Sequence, residues 1–215
     1  MGTSAPSMLR ARVVAETGSP AGMTGSILSR GGGRSPAWLR GSRRWGSDLF
    51  GESTPPAEVS FARLASGFSF ACGLTSDETL DCWGANNDGR SSPPSGNFIA
   101  VMAGGEIAGG HACAIDMEGK LICWGFAGEQ EDRTTPPEGT FKQVSGGAFH
   151  NCALKTDNTA ACWGANDTLQ ATPPAGTFRD VSAGRSHSCG LRTDGSVACW
   201  GWNAEGQTDV PAELL

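Results

Sequence analysis

The feature that most constrains this chain is a pair of cysteines ten residues apart that recurs four times, each time followed by Trp-Gly. The pairs use all eight cysteines: Cys72 and Cys82, Cys113 and Cys123, Cys152 and Cys162, Cys189 and Cys199. The steps between the first cysteines are 41, 39 and 37 residues, whereas the interval within a pair never changes. Length variation belongs to loops, so the constant interval indicates a geometric constraint. The sequence therefore predicts a tandem array of one short unit.

The ten-residue interval predicts an antiparallel hairpin. If Cys189 lies opposite Cys199, the strands are joined by a three-residue loop, 193–195. Such loops end in a residue with left-handed backbone, which glycine adopts without steric cost. Gly195 holds this place, and its equivalents are Gly119, Asn158 and Glu78. Because glutamate disfavours this conformation, we expect the first hairpin to be distorted.

Facing cysteines in such a hairpin are close enough to form a disulfide. We therefore predict the bridges Cys72–Cys82, Cys113–Cys123, Cys152–Cys162 and Cys189–Cys199. A zinc site needs cysteines two to four residues apart, a spacing that this pattern lacks; reduced thiols packed as small apolar groups are the remaining alternative. Disulfides are typical of an extracellular, cell-surface or periplasmic protein. A cytoplasmic location is the alternative, because no secretory signal is visible near the start.

Strand alternation predicts blades that are apolar on both faces, as expected for sheets stacked in series. A leucine or isoleucine stands two residues after each first cysteine, and the tryptophans point to the other face. A phenylalanine precedes each pair, at Phe61, Phe98, Phe141 and Phe178. The segment Trp45–Glu52 resembles the end of a further, truncated copy.

The pattern from Phe178 to Gln207, with Ala183-Gly184, His187, Asp194-Gly195 and Cys199-Trp200-Gly201, resembles the regulator of chromosome condensation repeat. The nearest resemblance is to its short, cysteine-containing versions, which include β-lactamase inhibitor protein II and the ectodomains of crinkly-type receptor kinases. The resemblance implies an all-β fold, a β-propeller of four-stranded blades, usually seven. The chain would supply four complete blades, at about 54–91, 92–133, 134–171 and 172–211, and a partial one within 45–215. We interpret it as a fragment of a seven-bladed propeller; a smaller ring and assembly of copies are alternatives.

Charge divides the chain into two parts. Residues 1–45 hold seven arginines and one acid, and the remainder has 9 basic and 21 acidic residues. An acidic body would repel phosphate, which argues against a nucleic-acid partner. The Gly-, Ser- and Arg-rich leader 1–44 is predicted to be disordered, with a transit peptide or a misassigned start as alternatives. No apolar run is long enough for a membrane span.

Residues that could carry chemistry recur once per repeat or are scattered. Each of the three histidines, His111, His150 and His187, stands two residues before a first cysteine. A side chain repeated in this way serves the blade, whereas a catalytic histidine is normally unique. No acid–base pair or phosphate-binding loop is evident. The sequence therefore predicts no enzyme activity, cofactor or metal.

Partner-binding residues are expected at unrepeated positions, because loops that differ between repeats tend to carry specificity. Trp202 is unique to the last blade, Glu106 and Ile107 lie in a four-residue insert, and Phe126 begins an unusual loop. We predict a non-catalytic scaffold that binds a protein partner through such residues. By family analogy alone, a nucleotide-exchange regulator of a small GTPase is one alternative, and an inhibitor of a secreted enzyme is another.

Overall fold

The computed structural model describes residues 47–107, 109–128 and 132–215, which form four three-stranded antiparallel sheets. The predicted leader 1–44 and the first two residues of the truncated copy lie outside these ranges. The first two sheets comprise β1 (Phe61–Gly67), β2 (Phe70–Thr75) and β3 (Leu80–Gly84), then β4 (Phe98–Glu106), β5 (Gly109–Asp116) and β6 (Leu121–Gly125). The last two comprise β7 (Phe141–Gly146), β8 (His150–Lys155) and β9 (Ala160–Gly164), then β10 (Phe178–Ala183), β11 (His187–Arg192) and β12 (Val197–Gly201). A 3-10 helix, Ala212–Leu214, follows the last strand.

Each sheet is one blade, and the blades follow one another as in part of a propeller. Within a blade the strands pair in chain order, and the first strands of successive blades contact each other, β1 with β4, β4 with β7 and β7 with β10. This arrangement confirms the all-β fold and the partial propeller. The exact limits of the blades stay a prediction, because loops join successive sheets without a break.

The four hairpins that carry the cysteine pairs have the predicted register. In all four blades the two cysteines are paired residues, with Cα atoms 4.0 or 4.1 Å apart, and each pair forms a disulfide. The third loop residue has left-handed backbone in every copy, with φ of 65° at Glu78, 83° at Gly119, 73° at Asn158 and 98° at Gly195. The alternatives of zinc and reduced thiols are therefore excluded for these eight cysteines.

The expected distortion of the first hairpin is wrong. Glu78 adopts the same left-handed conformation as its glycine and asparagine equivalents, and Cys72 still faces Cys82. Its N–H donates to the Thr75 carbonyl at 3.2 Å, and its own carbonyl accepts from the Phe98 N–H at 2.7 Å. Register, disulfide and contact with the next blade therefore outweigh the local preference of one residue.

The blades have three strands among the described residues, where the resemblance implies four. After β3 the chain forms a loop in which Asn86 Oδ1 accepts the Ser91 N–H at 2.9 Å. Pro93-Pro94 follows, and proline has no N–H to donate to a strand ladder. The same loop, with Asn166 and Asn203 as acceptors, follows β9 and β12. In the first and third blades this turn and a proline pair, Pro93-Pro94 or Pro173-Pro174, therefore stand where a fourth strand was expected.

The hydrophobic core lies between blades. Phe98, Phe141 and Phe178 are almost fully buried, and each packs against apolar side chains of the preceding blade. Each Cys-Trp-Gly tryptophan donates its indole N–H to a backbone carbonyl of the loop before its own blade, at 2.9 or 3.0 Å; the acceptors are Glu52, Arg90, Arg133 and Gln170. Stacking therefore combines apolar burial with one specific hydrogen bond per interface.

Candidate partner-binding site

The residue that follows each Cys-Trp-Gly lies at the same rim of the propeller. Its N–H donates to the carbonyl three residues before the first cysteine of its blade, as in Phe126 to Gly110 at 2.8 Å and Trp202 to Ser186 at 2.9 Å. In the first and third blades this position is alanine, Ala85 and Ala165, whereas it is aromatic in the second and fourth. Two of the predicted binding residues therefore occupy equivalent places two blades apart.

The β4–β5 hairpin is longer than its equivalents and extends toward the third blade. The Gly105 N–H donates to the Gly147 carbonyl at 3.0 Å. Gly109 lies directly against the Phe126 ring, since a Cβ added there would be 2.3 Å from a ring carbon. The insert that the sequence identified is therefore held in place by a backbone contact on one side and an aromatic ring on the other.

Glu106, at the end of β4, pairs with Arg185 of the fourth blade. The carboxylate oxygen Oε2 accepts from Arg185 Nη2 at 2.9 Å and from Nε at 3.1 Å. The ion pair links the second and fourth blades across the third. Ile107, the next residue, is 84% exposed at the tip of the hairpin. Glu106 therefore anchors the hairpin internally, and Ile107 is the side chain presented to solvent.

Two arginines and two aromatic rings lie next to Glu106 and Ile107 and complete this part of the rim. Arg133 lies over Phe126 at 5.4 Å and over Phe149 at 5.2 Å, and Arg185 lies over Phe149 at 5.9 Å. Arg133 is only 2% exposed and donates to the Ala148 carbonyl at 3.3 Å. Arginine over an aromatic face is a favourable contact. We call Glu106, Ile107, Phe126, Arg133, Phe149 and Arg185 the rim cluster.

The structure therefore brings Glu106, Ile107 and Phe126 together and places Trp202, 38% exposed, at the same rim on the fourth blade. Sequence reasoning missed Arg133, Phe149 and Arg185. A signal was present, because Phe149 and Arg185 also differ from their equivalents in other repeats, Ser69 and Phe68 in the first blade. Their roles depend on contacts between different blades, which repeat alignment does not show.

The histidines form part of the blade interfaces. His111 Nε2 donates to Asn151 Oδ1 at 2.7 Å, and His150 Nε2 donates to Ser188 Oγ at 2.7 Å, in each case across to the next blade. Burial lowers the pKa of both histidines to about 4. Burial also lowers the pKa of His187, which lies on the last blade. Neutral, packed histidines with such partners contribute to the interfaces between blades.

Residues 47–107, 109–128 and 132–215 contain no group of three His, Cys, Asp or Glu side chains placed to hold a metal ion. No helix in them is long and apolar enough to span a bilayer.

Stacked blades joined through one repeated set of contacts define a β-propeller repeat protein. The family model described as Regulator of chromosome condensation (RCC1) repeat matches residues 61–90, 141–170 and 178–207. Three of its four blades therefore carry the repeat of this family. Its second blade, which carries the longer hairpin and an exit loop with Ala127 in the asparagine position, lies outside the three matches.

Solved structures show the same fold. The crinkly ectodomain of the receptor kinase ACR4 from Arabidopsis thaliana is 34% identical, with a TM-score of 0.57 over 67% of this chain and 51% of that one. The ectodomain of the receptor kinase CR4 from Physcomitrella patens is 29% identical, with a TM-score of 0.54 over 66% of this chain and 39% of that one. Prp20p from Saccharomyces cerevisiae is 16% identical, with a TM-score of 0.57 over 74% and 48%. The chain thus spans about half the length of these proteins, or less.

Proposed function

We propose that this protein is a non-catalytic interaction scaffold that works outside the cytoplasm and binds a protein partner through its rim cluster. The observation that carries the proposal is Ile107, an apolar side chain 84% exposed at the tip of a hairpin that is fixed on both sides. An exposed apolar residue on a fixed backbone is preorganised for binding, because little conformational freedom is lost when a partner covers it.

The surroundings of Ile107 have the composition of a protein interface. Aromatic residues and arginine are enriched at such interfaces, and a few anchors supply most of the binding energy. Phe126 and Phe149 lie under arginine side chains, and Trp202 adds a second exposed anchor on the same rim. The partner we propose is a folded protein with an apolar pocket for Ile107 and a second contact for Trp202.

The extracytoplasmic part of the proposal is supported by the four disulfides, which persist in oxidising compartments. The likeness to ectodomains of two plant receptor kinases points the same way.

The test uses photo-crosslinking to compare how much of each partner protein is captured by the parent chain and by two variants of it. Ile107→Ser combined with Trp202→Ala removes both anchors, and we expect at least a tenfold loss of each specifically captured protein. Met117→Ser is the matched control, because Met117 is 50% exposed in the β5–β6 turn at the opposite end of the same blade.

The control is expected to capture as much as the parent chain. Equal loss in both variants, or no loss in the double variant, would contradict binding at the rim cluster. Alkylation of each protein without a reductant provides the folding check, because cysteines that keep their four disulfides are not labelled.

A further inference from the structure

The loop that follows the third blade holds a leucine in a backbone conformation that favours glycine. Leu169 has a φ of 65°, its N–H donates to the Asn166 carbonyl at 3.1 Å, and its carbonyl accepts from the Thr172 N–H at 3.1 Å. Three other loops make the same pair of backbone hydrogen bonds. In each of them the equivalent residue is a glycine with left-handed backbone, with φ of 80° at Gly51, 80° at Gly89 and 75° at Gly206.

The side chain of Leu169 gains little from packing within the blade. A Cβ added to Gly51 or to Gly89 would meet nothing within 4 Å, so a side chain at this position extends away from the fold. Leu169 is accordingly 63% exposed. Left-handed backbone carries a steric cost for any residue with a Cβ, and strained residues of this kind cluster at binding sites. Leu169 thus combines a strained backbone with an apolar side chain in solvent, which the stability of the blade does not explain.

Leu169 lies beside Trp202, the exposed anchor of the fourth blade. Gln170 follows the leucine and Gly201 precedes the tryptophan, and a Cβ added to Gly201 would be 3.1 Å from the Gln170 Cα. The Trp200 indole N–H donates to the Gln170 carbonyl at 2.9 Å and fixes this approach. The two exposed apolar residues are therefore carried by backbone segments in contact. No such pair occurs at two equivalent places, which hold Gly51 with Ala85 and Gly89 with Phe126.

Acidic side chains flank this apolar pair. Asp167 stands two residues before the leucine and Glu205 three residues after the tryptophan, and both are exposed. Within residues 47–107, 109–128 and 132–215, neither carboxylate forms an ion pair. Arg185, the basic residue on this part of the rim, is already paired with Glu106. The surface is thus apolar with a negative border, which complements an apolar side chain flanked by basic ones.

We propose that Leu169 and Trp202 together bind an apolar side chain of the partner protein that is flanked by lysine or arginine. This inference rests on the proposed function, in which Trp202 is an anchor, and adds to it a second anchor and a charge preference. The hydrogen-bonded loop holds the leucine in place before binding, so little conformational freedom is lost when the partner covers it.

The probes are three short synthetic peptides, titrated into the isotope-labelled full chain. The first has a Leu-Phe core between lysines, the second has the same core between glutamates, and the third has a Ser-Ser core between lysines. The NMR signals of the Trp202 indole N–H and the Leu169 amide report binding. We expect the lysine-flanked Leu-Phe peptide to shift both signals and to bind at least tenfold more tightly than either of the other two.

Leu169→Gly separates a binding role from a structural one, because the two roles predict opposite effects. Relief of the backbone strain should raise the melting temperature by about 2 °C, whereas the affinity for the lysine-flanked Leu-Phe peptide should fall at least fivefold. Glu78→Gly is the matched control, since Glu78 also has left-handed backbone and lies in a hairpin turn of the first blade. It should raise the melting temperature similarly and leave the affinity unchanged.

Asp167→Asn combined with Glu205→Gln tests the charge preference. Loss of both carboxylates should weaken binding of the lysine-flanked Leu-Phe peptide at least threefold, because the negative border is removed. Asp77→Asn combined with Glu118→Gln is the control, since it removes two exposed carboxylates in the hairpin turns at the opposite end of the blades. This control should bind the peptide as tightly as the parent chain.

Equal affinity for the Leu-Phe peptides with lysine and with glutamate flanks, or an unchanged affinity in Leu169→Gly, would overturn the proposal. A parent chain that is dimeric by light scattering, with a Trp202 signal that shifts on dilution, would also overturn it, because a second copy would then occupy this surface. Ile107→Ser should not alter peptide binding, so the titration can succeed or fail independently of partner capture at Ile107.

Discussion

At the scale of single residues, three histidines in one repeat position differ because of what covers them. The Nε2–H of His111 and of His150 donates across an interface, and Nδ1 of each ring is buried with no partner among the described residues. A proton added at Nδ1 would thus be buried and unpaired, so the folded state holds these rings neutral. His187, on the last blade, is only partly buried.

The free energy of unfolding is therefore expected to fall as the pH is lowered. In the unfolded chain an imidazole has its ordinary pKa of about 6.5, whereas burial lowers the folded-state pKa of His111 and His150 to about 4. The unfolded chain thus takes up protons first as the pH falls. The stabilisation from each neutral ring is complete above pH 6.5 and is lost progressively toward pH 4, by up to about 3 kcal/mol per ring.

His150→Phe, which introduces the residue found in the first blade, should remove about half of this pH dependence, measured by urea unfolding at pH 7 and pH 4.5. Ser188 keeps a partner in the variant, because its hydroxyl donates to the Gln170 carbonyl at 3.0 Å. His187→Gln is the control and should change the pH dependence of the stability much less. An unchanged pH dependence in His150→Phe would show that the buried ring is not its cause.

At the scale of the element, the disulfide-bridged hairpin keeps the same turn conformation although its third turn residue is glutamate, asparagine or glycine. Glu78, Asn158 and two glycines all adopt the left-handed conformation, since the facing cysteines set the register and the next blade binds the turn carbonyl. A non-glycine residue in this region costs about 1 kcal/mol or more. The first hairpin therefore retains a local strain that its glycine counterparts lack.

Glu78→Gly is expected to raise the free energy of unfolding by about 0.5–1 kcal/mol, the relief of that strain less the greater entropy of glycine in the unfolded chain. Glu78 is exposed, so little packing is lost. Asn158→Gly is the matched control and should give a smaller gain, because asparagine tolerates the conformation better. Chemical denaturation measures both. A loss of stability in Glu78→Gly would mean that the glutamate makes a contact worth more than the strain.

At the scale of the whole molecule, stability is distributed over a row of interfaces. Each blade contacts mainly its neighbours, so a blade with two neighbours is held better than one with a single neighbour. The Glu106–Arg185 pair joins blades that are not adjacent, but Arg185 is 60% exposed, so this pair adds less than about 1 kcal/mol.

Native-state hydrogen exchange should therefore show a gradient along the array. Amide protons of β11, in the fourth blade, are expected to exchange faster than those of β8, in the third, although both strands have the same register and the same type of disulfide. Mass analysis of peptides from the two strands would measure this. Equal rates would indicate that the four blades open as one cooperative unit.

Most of the candidate site could be predicted from the sequence, because its residues stand at positions that depart from the repeat pattern. Trp202, Phe126, Glu106 and Ile107 each depart from it, and the structure places all four at one rim. The sequence did not show that Glu106 is used internally, because its partner is 79 residues away. Nor did it identify Arg133, whose ring contacts come from two different blades.

The sequence by itself determined the hairpins, their register, their disulfides and the order of the blades. These features depend on residues ten apart or on neighbours in a fixed repeat, so spacing alone encodes them. Only the tertiary structure decided that the blades have three strands, that Glu78 adopts a glycine-like turn, and that Arg133, Phe149 and Arg185 belong to the rim cluster. The physical reason is that each of these outcomes is set by contacts with another blade or by competition between a loop and a strand, and both depend on where the blades lie relative to one another.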